Sequence, residues 1–202
     1  MSTEELPRRW PHARNTARDL LQMLAEALLL FLIVSVLTGR FEVHQVSMEP
    51  NLHEGQRVVV SKLEKLWPTW LISPAEAATE HKGPALGLQH GQIVVLYKSP
   101  TDRAEDPLIK RIIALPGETL FIRDDAVYVD GAPLDERYIH GARTSCNSYC
   151  SPLTLGADQY FVMGDNRPNS LDSRTFGPIS GEQIIGRVIL RYWPLNQLAF
   201  YP

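Results

Sequence analysis

The chain has 202 residues, 44% of them hydrophobic, and a formal net charge of −3, which suits one membrane anchor plus one domain. That charge gives no pull toward nucleic acid, and no basic run of the kind that neutralises phosphates is present. The six histidines are scattered, with no His-Glu-x-x-His and no clustered metal spacing, so neither a metal nor a cofactor is expected.

Residues 1–19 are polar, with Arg8, Arg9, Arg14 and Arg18 set against Glu4, Glu5 and Asp19. They read as a short cytoplasmic tail, mostly disordered and turning helical near its end. Residues 20–38 read as a transmembrane anchor. Between Leu20 and Leu37 the only polar residues are Gln22, Glu26 and Ser35. The core of this run, Ala27 to Leu37, is short against the ~20 residues that a span needs, so a buried core helix is the competing reading. The four arginines before the run outnumber Arg40 and Arg57 after it, which favours a span with its N-terminus in the cytoplasm. No small-x-small pair follows closely, which disfavours a cleaved signal peptide. Glu26 is a cost at that depth and is expected near the cytoplasmic end or facing another helix.

Residues 39–202 read as an extracytoplasmic, β-rich domain. Short β-branched or aromatic runs lie at 57–60, 92–97, 108–115, 119–122, 126–129, 160–163 and 184–192, separated by Gly, Pro and Asp clusters. Asp124-Asp125 and Asp130-Gly131 look like hairpin turns. No long amphipathic helix and no internal repeat is visible after residue 38. Residues 67–90 and 131–158 read as long insertions. Trp67, Trp70, Leu71 and Ile72 open the first, either dipping into a lipid interface or forming a small satellite core. Cys146 and Cys150 are the only cysteines. They are a disulfide if the domain faces an oxidising compartment, or else two free thiols; zinc with His140 would lack a fourth ligand.

Three stretches carry chemistry. The first is Gln45-Val46-Ser47-Met48-Glu49-Pro50, where Ser47 precedes a proline turn and its hydroxyl can sit at the lip of a strand. Most Ser-x-x-Pro stretches are simply turns. A serine hydroxyl is a poor nucleophile until a base takes its proton. His44 and His53 are the histidines near in sequence, and neither sits in a suggestive context. The second stretch, Leu108 to Gly117, puts Lys110 in an apolar strand with Leu108 and Ile112 on its face and Ile109, Arg111 and Ile113 on the other. To act as a base, Lys110 must lose about 3 units from an ordinary pKa near 10.4, and burial among aliphatics does this by withholding water from the ammonium. The competing reading is an edge-strand lysine snorkelling to solvent. The third stretch, Gly164 to Arg174, is a dense polar loop. There Asp172 can pair with Arg174 and Asp165 with Arg167, and Ser170 can aim the lysine amine. The competing reading is a solvated turn with surface ion pairs that contribute little.

With these motifs in this order, the chain resembles the type I signal peptidases, membrane-bound serine proteases of the Ser–Lys dyad kind. The resemblance rests on Ser47-Met48-Glu49-Pro50, Gly55 to Val60, Lys110 to Gly117 and Gly164 to Arg174. It implies a mainly β fold of coiled antiparallel sheets after one transmembrane helix, with an edge groove taking the Ala-x-Ala type residues of a signal peptide. It implies Ser47 as nucleophile and Lys110 as general base. It further implies Ser170 as the hydroxyl that orients the lysine, Met48 packed beside it, and Arg111, Asp165, Asp172 and Arg174 as support. The Ser47 N–H would form part of the oxyanion hole. Gln45 stands where the family usually has serine or glycine, so its amide is the candidate for the second oxyanion donor. Some members carry a disulfide where Cys146 and Cys150 fall. The partners implied are preprotein signal peptides and the lipid bilayer, with a monomeric enzyme in the plasma membrane. A self-cleaving repressor of the same dyad type needs an N-terminal DNA-binding domain, which residues 1–40 cannot supply. The alternative of another class is an inactive, membrane-tethered β domain that binds a partner.

Overall fold

A computed structural model describes residues 16–63, 86–99 and 106–201. The expectations for the N-terminal arginines up to Arg14 and for Trp67, Trp70, Leu71 and Ile72 lie outside the described residues.

Helix α1 runs from Thr16 to Leu37. It contains no Gly or Pro and is rich in Leu and Ala, all of which favours an unbroken helix. Its segment Arg18–Leu37 has a mean hydropathy of 2.4 and no buried share. Twenty residues at ~1.5 Å each match a bilayer core of ~30 Å, so the turns before Ala27 supply the missing length. By length and composition the helix fits a membrane-anchored protein. Glu26 Oε1 accepts a hydrogen bond from Gln22 Nε2 one turn earlier, at 2.9 Å, which partly answers its cost in an apolar run. The helix is one compact unit, and the chain from Thr38 onward is another.

The second unit is almost entirely antiparallel β. Its strands are β1 (Thr38–Glu42), β2 (Arg57–Ser61), β3 (Ile93–Leu96), β4 (Leu108–Ala114), β5 (Thr119–Arg123), β6 (Ala126–Val129), β7 (Ala132–Pro133), β8 (Leu153–Thr154), β9 (Gln159–Met163), β10 (Ile179–Ser180), β11 (Ile184–Trp193) and β12 (Ala199–Phe200). The large sheet runs β1-β2-β11-β3-β4-β9-β10, with β12 also on β11; the small one runs β7-β6-β5-β8. Register shifts along β11, one against β3 and two against β2, give the large sheet its coil. Gly186 of β11 lies so close to the Ser61 carbonyl of β2 that a Cβ has no room there.

Alternation sorts the side chains into packed layers. Ile93, Val95 and Ile109 join one cluster with Met48 and Val58, while Val94, Leu96, Leu108 and Ile112 join another with Tyr160 and Val162. A third cluster, around Ile113, Leu120, Phe161 and Met163, joins the two sheets. The hairpin turns stand as expected. Asp124 and Asp125 both have positive φ between β5 and β6, and Asp130-Gly131 does the same between β6 and β7. The two-residue strands β7, β8, β10 and β12 are too short to show any alternation in sequence. Strand β1 was missed because Gly39, Arg40 and Glu42 mask it.

Candidate active site

Ser47 does not sit at a strand lip. It lies in a one-turn 3-10 helix, Val46–Met48, reached from β1 through residues 43–45. The Met48 carbonyl accepts from the N–H groups of Asn51 and Leu52, and the fully buried Met48 and Leu52 side chains bolt the turn to the core. The serine is itself buried.

Lys110 lies on β4, opposite Val94 of β3, and its side chain is buried, so it does not snorkel. Its side chain is 0% exposed, and Nζ donates to Ser47 Oγ at 2.6 Å. Burial pushes the amine down from its ordinary 10.5 to about 8, while the Asp172 and Asp165 carboxylates pull it back up in part. A group brought this near neutral pH beside a hydroxyl can exchange a proton with it. Among the described residues no histidine is hydrogen-bonded to Ser47. His53 faces Glu49, with Nδ1 3.4 Å from Oε1, and His44 is exposed at the rim of the groove.

The 164–174 loop is no solvated turn, because its charges are buried in pairs. Asp172 receives Arg174 Nε and Nη2, each at 2.9 Å, and its carboxylate also accepts the Gly164 N–H at 3.1 Å. Burial pushes the Asp172 carboxyl up, and the contacts from Arg174, Ser170 and Gly164 outweigh this and leave it below the ordinary carboxylate range. Asp172 also caps the short helix α2 (Ser173–Phe176). The expected Asp165–Arg167 pair does not form. Asp165 is instead held by Arg111 through a two-pronged contact, Nε at 2.8 Å and Nη2 at 2.6 Å. Arg111 leaves β4 on the face opposite Lys110, so it reaches this carboxylate without touching the lysine. Arg167 turns the other way, to Glu136 and Thr144.

Ser170 also departs from expectation. Its Oγ is buried on the Asp172 side of the loop, where its hydroxyl helps to hold that carboxyl low, and Lys110 Nζ donates to Ser47. Ser170 packs on Gly164, where an added Cβ would run into both Ser170 Oγ and the Ser47 carbonyl. The pairing of Arg111 with Met163 puts Gly164 across from Lys110 when the register is continued. The missing side chain thus lets the loop, the serine turn and the lysine strand meet. Gln45 is exposed and lines a groove with Val43, Ser47, Met48, Pro107 and Ile109. Strand β4 pairs with β9 only from Arg111 on, so residues 108–110 leave a ladder edge open beside this groove. Cys146 and Cys150 form a disulfide, which removes the zinc alternative.

Sequence reasoning missed several supports. Asn51 donates to Asp165 Oδ2 at 2.8 Å and to the Tyr138 carbonyl at 2.7 Å. The Tyr138 ring lies 4.1 Å from the Arg111 guanidinium. Asn166 donates its backbone N–H to the Ser47 carbonyl at 3.0 Å and Nδ2 to the Val46 carbonyl at 3.1 Å. An asparagine in a turn carries no sequence signal for such a contact; only the fold brings it to the serine.

Comparison with known proteins agrees with this architecture of motifs. The family described as "Signal peptidase, peptidase S26" matches residues 17–193. The chain is similar to signal peptidase I of Leptolyngbya laminosa, with 32% identity over 76% of this chain and 68% of that protein. It is also similar to a probable signal peptidase I-2 of Synechocystis sp., with 35% identity over 76% of this chain and 62% of that one. The chain therefore spans about two thirds of the length of these relatives. A crystal structure of a signal peptidase I from Enterococcus faecalis shares 33% identity, covers 50% of this chain and 95% of its own, and has a TM-score of 0.41.

Proposed function

The chain belongs to the signal peptidase, peptidase S26, family, the enzymes that remove signal peptides from preproteins, and from this premise we propose a membrane-bound serine endopeptidase working through a Ser47–Lys110 dyad. The observation that carries the proposal is the 2.6 Å contact between Lys110 Nζ and Ser47 Oγ, with both side chains buried. In its neutral form Lys110 takes the Ser47 proton as Oγ attacks the scissile carbonyl. The ammonium then gives that proton to the departing amine, leaving an acyl-enzyme. A water deprotonated by the same lysine releases the acyl group. The Ser47 N–H, with Gln45 as the candidate second donor, stabilises the tetrahedral oxyanion. Ser170 is the hydroxyl assigned to steadying the amine, and its burial against Gly164, across from Lys110, is compatible with that role.

The substrate lies extended in the groove beside Ser47 and adds a strand to the open edge of β4, with small Ala-x-Ala type residues before the cut. Residues 1–19 form the cytoplasmic tail, 20–38 the anchor in the plasma membrane, and 39–202 an extracytoplasmic catalytic domain that works as a monomer against the bilayer. The test is cleavage of a purified preprotein by wild type, Ser47→Ala and Lys110→Ala, with the released N-terminus sequenced. Cutting after an Ala-x-Ala type site by wild type alone is the expected result. No cutting by any of the three folded proteins would favour the inactive tethered domain, and cutting by Lys110→Ala would require another base.

A further inference from the structure

The Val46 carbonyl belongs to the same peptide as the Ser47 N–H. In a trans peptide these two groups lie in one plane and point in opposite directions, so whatever grips the oxygen aims the N–H. The cis bonds among the described residues are at Glu49-Pro50 and Trp193-Pro194, so the Val46-Ser47 peptide is trans. Its oxygen is held twice. The Glu49 N–H, from within the turn, donates at 3.1 Å. Asn166 Nδ2, from the 164–174 loop, donates at 3.1 Å. The Asn166 amide is itself oriented, because Asn169 Nδ2 donates to its Oδ1 at 3.3 Å and so leaves the NH2 end for Val46. The Asn166 backbone N–H fixes the next peptide as well, through the Ser47 carbonyl at 3.0 Å.

We infer that Asn166 is a positioning residue for the oxyanion hole, acting through the Val46–Ser47 peptide; this rests on the serine-nucleophile reading above. The side-chain amide does two things there. It holds the peptide plane so that the Ser47 N–H stays directed at the developing oxyanion without reorganising. By donating to the carbonyl it also polarises the peptide and strengthens its N–H as a donor. The partners of Asn166 are the Val46 and Ser47 carbonyls and Asn169, not Lys110, so its contribution is expected in the transition state.

The experiment uses the full chain in detergent with a peptide spanning a signal-peptide cleavage site, and the variants Asn166→Ala and Asn166→Leu. Both keep the backbone N–H to Ser47 and delete the side-chain donor; leucine keeps the approximate shape. Thermal unfolding by circular dichroism checks that each is folded. One neutral hydrogen bond corresponds to a loss in kcat of roughly tenfold, with KM within about twofold. The pH midpoint of the alkaline-favoured limb stays where wild type has it, because Lys110 is untouched. The affinity of a substrate-like peptide aldehyde, whose hemiacetal with Ser47 mimics the tetrahedral state, falls by the same factor as kcat, and that of a non-reactive peptide does not. Unchanged kcat in both folded variants overturns the inference. A loss that appears in KM, or that comes with a moved pH midpoint, also overturns it. Failure of the function itself looks different: wild type and Ser47→Ala would then be equally inactive toward the peptide.

Discussion

The buried lysine makes a quantitative prediction for the pH dependence of cleavage. Moving Lys110 from 10.5 to about 8 disfavours its ammonium form by roughly 3 kcal/mol. The base must be neutral, so activity follows the neutral fraction. This is about one half at pH 8, about a tenth at pH 7 and about a hundredth at pH 6, against less than about one hundredth at pH 8 for an ordinary lysine. The assay is kcat/KM for a peptide substrate between pH 5.5 and 10 at constant ionic strength in detergent. The expected curve rises about tenfold per pH unit below a midpoint near 8 and levels above it. A midpoint near 6.5 would indicate a histidine base, and a flat profile down to pH 5.5 would exclude an unprotonated amine as the base. A midpoint above 10 would show that the lysine is not held in the apolar surroundings described here.

Three further outcomes follow from the same geometry. Lys110→Met abolishes cleavage yet raises stability at pH 7. The folded pKa lies below the unfolded one, so the unfolded chain binds more protons and the fold is penalised by up to roughly 3 kcal/mol below pH 8, a penalty that fades as pH rises toward 10.5. Melting curves of variant and wild type therefore converge at alkaline pH, and a variant less stable than wild type at pH 7 contradicts the sign. Gly164→Ala forces a Cβ against Ser170 and the Ser47 carbonyl, and is expected to lower kcat by about a hundredfold or more while costing about 1–3 kcal/mol in denaturant melts. Wild-type turnover in that variant would show that the serine turn has slack. Arg167→Met leaves Glu136 buried without its cation, so unfolding should ease by about 3–5 kcal/mol, and Glu136→Gln in the same background should recover part of it.

What was legible in the sequence was what local pattern encodes. β-branched runs between Asp and Gly turns mark the long strands, and Lys110 stands out because alternation assigns it to the same face as Leu108 and Ile112. The partner choices were not legible. Asp165 and Arg167 are near neighbours in sequence, and near neighbours are the natural guess for a pair. In the fold Arg111 reaches Asp165 from a strand 54 residues earlier, and Arg167 reaches 31 residues back to Glu136. Such pairing depends on where β4 and the 131–158 segment come to rest, which no window of sequence contains. The 3-10 turn at Ser47 was hidden for a similar reason. Three residues carry no periodicity, and the turn is specified by where Met48 and Leu52 find the core.

The ion pairs explain how a lysine can stay depressed beside two aspartates. Unpaired, Asp172 and Asp165 would draw the Lys110 amine back toward its ordinary pKa, since each raises it. Each is instead matched by its own guanidinium, Arg174 at 2.9 Å and Arg111 at 2.6 Å. The arginines spend the field of the carboxylates locally, so burial prevails at the amine. The carboxylates remain free to act as acceptors that hold the loop, Asp172 on the Gly164 N–H and Asp165 on Asn51. A loop braced by neutral side chains would lack the two-pronged contacts that fix it, and one braced by unmatched carboxylates would keep the lysine charged. Charge-balanced pairs meet both demands, which is why Arg174 from the loop and Arg111 from β4 stand beside a base that is itself uncharged.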